Sequence, residues 1–152
     1  MWHSFFLFFA DILGKLRPVS AIIVRKGNEF LIVKKNRKEY AWQFVQGGRD
    51  FNETFLQAAK RELGEECGRD LKVVFQTLTP FYTYRYFFPK GSHRPLSQEN
   101  YIGASVRLFH AEYVSGEIIL NAKELEDFIW VKKENLEESV EKQYWKVMKS
   151  FL

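Results

Sequence analysis

The chain of 152 residues has a single cysteine, Cys67, only four prolines and three histidines. One cysteine excludes an intrachain disulfide and a cysteine-based zinc cage, and it points to a reducing, cytoplasmic location. His3, His93 and His110 are scattered without ligand spacing. No serine or cysteine nucleophile motif occurs, and the glycines form no phosphate loop of the Lys-Ser or Lys-Thr type. No apolar run reaches the ~20 residues that cross a bilayer. The hydrophobic opening is broken by Asp11, Lys15 and Arg17, and it has neither the early positive charge of a signal peptide nor the arginines of a transit peptide. Internal repeats, low-complexity tracts and interdomain linkers are also missing.

What is there is a globular composition: 46% hydrophobic, 28% charged and 17% aromatic, a balance that excludes a disordered chain or a collagen-like fibre. A chain of this length suits one domain that buries roughly 70% of the surface its unfolded form exposes. Lysine plus arginine outnumber the acids by 23 to 19, for a net charge of +4, a mild bias towards anionic partners and far from a polybasic binder. Trp2, Phe5, Phe6, Phe9, Ile12, Leu13 and Leu16 fall on one helical stripe. That spacing predicts a hydrophobic helical segment over 1–17 docked by the stripe on a body formed by 18–152. A homodimer contact or a membrane-surface contact is the alternative use of the stripe.

Two β-rich segments, Val19 to Val24 and Phe30 to Lys34, flank Gly27-Asn28 and predict a hairpin. Ala41 to Val45 reads as a short strand ended by Gly47-Gly48. A helix follows from Thr54 to Cys67, with the spacing of a capping box at Thr54 and Gln57, and with Gly68 to close it. Leu71–Leu78, Phe81–Phe88, Tyr101–Val114 and Phe128–Val131 are further strands, and Pro89–Asn100 is a loop. Val140, Tyr144, Val147, Met148 and Phe151 have the spacing of a C-terminal amphipathic helix. This order of elements predicts an α+β chain, an αβα sandwich on a central mixed sheet, without the regular alternation of a doubly wound fold.

Chemistry concentrates in GGRDFNETFLQAAKRELGEECG, residues 47–68. Glu62, Glu65 and Glu66 stand at i, i+3 and i+4 and share one helix face. Two carboxylates ~5 Å apart repel by roughly 3 kcal/mol at an effective dielectric of ~20, an expensive arrangement unless water or a cation screens it. A hard divalent ion such as Mg²⁺ or Mn²⁺ is the economical explanation, and a solvated acidic face is the bland one. Leu56, Ala59 and Leu63 on the adjoining sector would anchor the helix while the acidic side looks into a cleft.

The whole segment resembles the Nudix box: Gly47, Glu53, Arg61, Glu62, Leu63, Glu65, Glu66 and Gly68 occupy its fixed places, and only Arg69 departs, standing where the pattern has an aliphatic residue. The resemblance implies a Nudix-type sandwich that hydrolyses a pyrophosphate bond in a nucleoside diphosphate-linked substrate with Mg²⁺ or Mn²⁺. It implies metal ligands at Gly47, Glu62, Glu65 and Glu66, a positioning pair in Glu53 and Arg61, and catalytic work for Glu65. Trp42-Gln43-Phe44-Val45-Gln46-Gly47-Gly48 is similar to a sequence in the branch of bacterial RNA 5′ pyrophosphohydrolases and dinucleoside polyphosphate hydrolases, with Val45 in place of proline. Tyr84-Arg85-Tyr86, Pro89-Lys90, Trp130 and the last helix follow the same branch. In that branch a glutamate before the late tryptophan aids metal binding or proton transfer; Glu124 has the spacing, with Glu126 its neighbour.

Lys34, Lys35, Arg37 and Lys38 in one loop, and Arg85, Lys90 and Arg94 around another, are candidates to hold a polyphosphate. Tyr82, Tyr84 and Tyr86 alternate along a strand and are candidates to stack a base. The partner so implied is a nucleotide or a nucleotide-capped substrate, with an RNA 5′ end among the options and no stable DNA complex. Nucleotide sugars, ADP-ribose and oxidised nucleoside triphosphates stay open. The second half is also similar to a mitochondrial large-subunit ribosomal protein of Nudix-like fold, which would make the chain an RNA-binding scaffold. A scaffold has no physical need for a repulsive carboxylate cluster.

Overall fold

A computed structural model describes residues 2–36, 42–92, 94–140, 142–150 and 152, without the side chains of Gln143, Tyr144 and Val147. Of the residues singled out above, Arg37, Lys38, Ala41, His93 and Phe151, and the side chains of Tyr144 and Val147, lie outside the described residues. Among the described residues seven strands form one mixed sheet: β1 (Leu16–Lys26), β2 (Glu29–Lys35), β3 (Val45–Gly48), β4 (Lys72–Phe75), β5 (Tyr82–Phe87), β6 (Gly103–Ser115) and β7 (Leu125–Lys132). Strand β1 is central. It runs parallel to β6 from Leu16 to Arg25, and its other edge is shared by β3, opposite Val19 to Ile22, and β2, opposite Arg25 and Lys26. The predicted hairpin is present, turned by Gly27 at a positive φ of 60°.

Alternation along the strands sorts their side chains onto two cores. On one face Ile22, Val24, Leu31, Val33, Val45 and Phe109 pack against Ala59, Leu63 and Cys67 of α2 (Phe55–Cys67). On the other, Ala21, Ile23, Ile32, Phe44, Val106 and Leu108 meet Leu136 and Met148 of the C-terminal helices α3 (Leu136–Ser139) and α4 (Lys142–Met148), and Val140 between them. A sheet covered on both faces by helices is the expected αβα sandwich. Helix α2 has the predicted ends: the Thr54 side chain takes the Gln57 amide at 3.1 Å, Gln57 returns a bond from the Thr54 amide at 2.7 Å, and Gly68 leaves the helix at φ 86°.

Three local expectations change. The extended segment near residue 41 runs later than predicted, through Gly47 and Gly48, because both glycines pair with Ser20 and Val19 of β1. The C-terminal helix runs over Lys142–Met148 rather than from Val140, which adopts an extended backbone and is buried in the core, and a short helix precedes it. Helix α1 (Trp2–Ile12) docks by the opposite side from the predicted stripe. Leu7 and Ala10 are buried, whereas Trp2, Phe5, Phe6, Phe9, Ile12 and Leu13 are exposed, Trp2 by 79%. The reason is electrostatic: Asp11 lies on the inward side and is tied to arginines of the sheet. Leu16 belongs to β1, two residues before the boundary drawn at 17 and 18. No helix among the described residues is long and apolar enough to cross a membrane.

Candidate active site

Helix α2 and strand β3 converge at Gly47. A Cβ on Gly47 would overlap the carboxyl group of Glu62, so only glycine lets the strand and this side chain come so close. The three helical glutamates are not equivalent. Glu66 is fully buried and Glu62 nearly so, while the Glu65 side chain is 50% exposed. Burial pushes the Glu66 carboxyl up to about 7, against the opposing pull of Lys35, and it raises Glu62 above the ordinary carboxylate value despite Arg61.

Two cations knit this acidic surface. Arg61 donates to Glu53 Oε1 at 2.6 Å and Oε2 at 3.1 Å, to Glu62 Oε1 at 2.8 Å, to Glu65 Oε2 at 3.2 Å and to the Gly48 carbonyl at 2.8 Å. Its planar fork suits this many acceptors, and the hydrogen bonds to it hold Glu53 below the ordinary carboxylate range. Glu53 Oε1 also accepts from the Asp50 amide at 2.9 Å, so the Glu53–Arg61 pair ties the loop to the helix. The second cation is Lys35, whose ammonium pairs with Glu66 and lies 4.0 Å from Glu124 Oε2. Glu124 thus faces Glu66, whereas Glu126 pairs outward with Lys34 at 3.2 Å.

The backbone fixes that juxtaposition. The amides of Ile119 and Asn121 bond to the carbonyls of Cys67 at 2.9 Å and Glu66 at 3.1 Å, and the Asn36 amide bonds to the Glu124 carbonyl at 3.1 Å. The loop before β7 is sewn to the last turn of α2 and to the end of β2. Arg69, the departure from the box, is exposed, and Leu71 two residues on supplies the buried apolar contact. Cys67 is a buried core residue whose thiol is pushed up to about 12 by burial, which removes it as a nucleophile.

Three of the proposed substrate contacts do not reach the carboxylates. Tyr84 and Arg85, neighbours on β5, project to opposite faces: Tyr84 stacks with Tyr86 at 6.2 Å on the side of the C-terminal helices, and Arg85 Nε is bonded to Asp11 at 2.7 Å. Lys90 is exposed in the loop after β5. Lys35 is the basic candidate that the fold brings to Glu66. The pairings of Asp11 with Arg85 and of Lys35 with Glu66 span 74 and 31 residues, and no local spacing signals either.

The donor set fits a hard divalent cation. Glu62, Glu65, Glu66 and the Gly47 carbonyl offer only oxygen, and Glu66 Oε2 is buried without a hydrogen-bond partner among the described residues. Among the described residues no three acidic, histidine or cysteine side chains converge as a preformed cluster; Lys35 and Arg61 hold Glu66 and Glu62 in separate ion pairs.

Comparison with known proteins agrees with this geometry. The chain is 32% identical over 120 residues to the RNA pyrophosphohydrolase of Histophilus somni (strain 2336), covering 76% of this chain and 62% of that protein. It is 34% identical over 122 residues to the RNA pyrophosphohydrolase of Haemophilus influenzae (strain PittEE), covering 76% and 61%. The chain therefore matches somewhat less than two thirds of the length of these relatives. A crystal structure of a C. elegans Ap4A hydrolase binary complex superposes with a TM-score of 0.67 at 19% identity, over 90% of this chain and 95% of that one. The NUDIX domain profile matches residues 14–151, and the chain belongs to that family.

Proposed function

We propose that this protein is a pyrophosphohydrolase that cleaves a phosphoric anhydride in a nucleoside diphosphate-linked substrate, with dinucleoside polyphosphates and 5′-triphosphorylated RNA the preferred classes. The observation that carries the proposal is the pair of buried carboxylates, Glu62 and Glu66, set against Gly47 and Glu124 with one Glu66 oxygen unpartnered among the described residues. Burying two acids side by side costs several kcal/mol unless positive charge compensates them. The relatives, RNA pyrophosphohydrolases, support the reading, and so does the structural neighbour, an Ap4A hydrolase.

Glu62, Glu65, Glu66 and the Gly47 carbonyl would hold Mg²⁺ or Mn²⁺. Bound there, a divalent ion neutralises phosphate oxygens and acidifies water. The chain's own residues do the rest. Arg61 and Glu53 hold the loop and Glu62 in register. Glu124, partly exposed and facing Glu66, is the candidate to accept the proton of attacking water. Lys35 is the candidate phosphate contact, with Lys34 and Lys90 as outlying positive charges. Tyr84, with Tyr86, offers an aromatic surface for a base on the other face of the sheet.

A panel of dinucleoside polyphosphates, 5′-triphosphorylated RNA, ADP-ribose, nucleotide sugars and oxidised nucleoside triphosphates tests this. It is run with each metal in oxygen-labelled water, and the products are identified. Label should enter one phosphate product of a preferred substrate. Turnover confined to ADP-ribose or a nucleotide sugar would move the substrate class, and no hydrolysis of any member would leave the RNA-binding scaffold.

A further inference from the structure

We infer that Asp11 of helix α1 is a positioning residue for the loop that carries Glu53, acting through Arg107, Phe55 and Arg49. This rests on the proposed role of the Glu53–Arg61 pair. Three donors from two strands converge on one oxygen of Asp11: Arg85 Nε at 2.7 Å, Ser105 Oγ at 2.8 Å and Arg107 Nη2 at 3.3 Å. Among the described residues Asp11 is the only carboxylate ion-paired with Arg85 or Arg107. The Arg107 side chain is only 19% exposed, so the loss of this partner would leave a largely buried guanidinium uncompensated.

From Arg107 the contacts run directly to the catalytic loop. Its guanidinium lies 4.5 Å from the centre of the Phe55 ring, and that of Arg49 lies 4.8 Å from the same centre. Phe55 is the first residue of α2, and its carbonyl accepts the Ser20 hydroxyl at 2.7 Å. Arg49 then donates to the Glu53 carbonyl at 2.9 Å, and the Glu53 carboxylate grips Arg61. A helix outside the acidic surface is therefore joined to it by an unbroken series of ion pairs, ring contacts and hydrogen bonds. Groups that hydrogen-bond metal ligands directly typically change metal affinity or turnover by 10- to 100-fold, and Asp11, acting at a greater remove, is expected at the lower end.

The experiment compares Asp11→Asn, Asp11→Glu and Phe55→Leu with the intact chain. It reads kcat and KM separately, Mn²⁺ affinity of the substrate-free protein by electron paramagnetic resonance, and amide exchange over Asp50–Phe55. Asp11→Asn should lower kcat and weaken Mn²⁺ binding by about tenfold, leave KM within about twofold, and speed exchange at the Glu53 amide. Asp11→Glu should restore part of the loss. Phe55→Leu cuts the series beyond the ion pairs and should reproduce the defect; it decides the matter if the Asp11 variants do not fold. Trp2→Gln, on the outward side of α1, should change nothing. A fall in Tm with unaltered kcat, Mn²⁺ affinity and loop exchange would make Asp11 a mere anchor for α1 and overturn the inference. The proposed activity fails separately, by an intact chain that neither binds Mn²⁺ nor hydrolyses any substrate.

Discussion

Two charged clusters sit on the same side of the sheet and are built on opposite plans. Around Arg61 and Lys35, five glutamates (53, 62, 65, 66 and 124) share two cations. Under α1, a single aspartate serves two arginines. Among the described residues the first cluster is short of positive charge and leaves a buried oxygen without a partner; the second concentrates three donors on one oxygen. Acids crowded beyond what their neighbours can neutralise call for an additional cation, whereas a lone acid encircled by donors needs nothing more. The contrast separates a site from a joint.

The largest effect that would sharpen the contrast is at Glu66. Glu66→Gln and Glu65→Gln should each lower turnover by more than about 100-fold with the fold retained, read as product release alongside circular dichroism. Unchanged rates in both would erase the distinction between the clusters. Gly47→Ala comes next. The obstacle is the far end of the Glu62 side chain, which can swing aside, so the fold should survive with Tm nearly unchanged while turnover drops by about 100-fold.

The second cluster predicts a change in stability and in its pH dependence. Burial would raise the Asp11 carboxyl, but the hydrogen bonds from Arg85 and Ser105 and the charge of Arg107 outweigh it and hold it below the ordinary range. A depressed carboxylate stabilises the fold above its unfolded pKa of about 3.9, and that contribution is lost as pH falls through the folded value. Asp11→Asn should therefore cost about 2 kcal/mol at neutral pH in denaturant titrations, and the difference should shrink below about pH 4. The smallest effect belongs to the exposed Lys34–Glu126 pair, where Glu126→Gln should change stability by less than about 0.5 kcal/mol. A larger loss would mean that the outward pair belongs to the acidic surface after all.

Residues 47–68 announced their structure because everything there is local: a capping box, a helix-closing glycine and acids one turn apart. The sheet was legible in outline from β-rich runs and turn residues. What stayed hidden depends on distant partners. The inward side of α1 is chosen by Asp11, and the aromatic stripe that dominates the periodicity faces out. Arg85 reads as a free basic residue until β5 and α1 are placed side by side. Lys35 and Glu124 meet Glu66 only once β2, the loop before β7 and the end of α2 are assembled.

The amides of Ile119 and Asn121 occupy the carbonyls at the end of α2, and a turn bonded through Asn121 then sets the start of β7. Glu124 is consequently delivered by chain length, counted from that attachment. The residue count of this stretch is therefore fixed: one inserted residue between 121 and 124 would break the bonds of the Glu124 and Leu125 amides to the Asn121 carbonyl and carry the carboxylate away from Lys35.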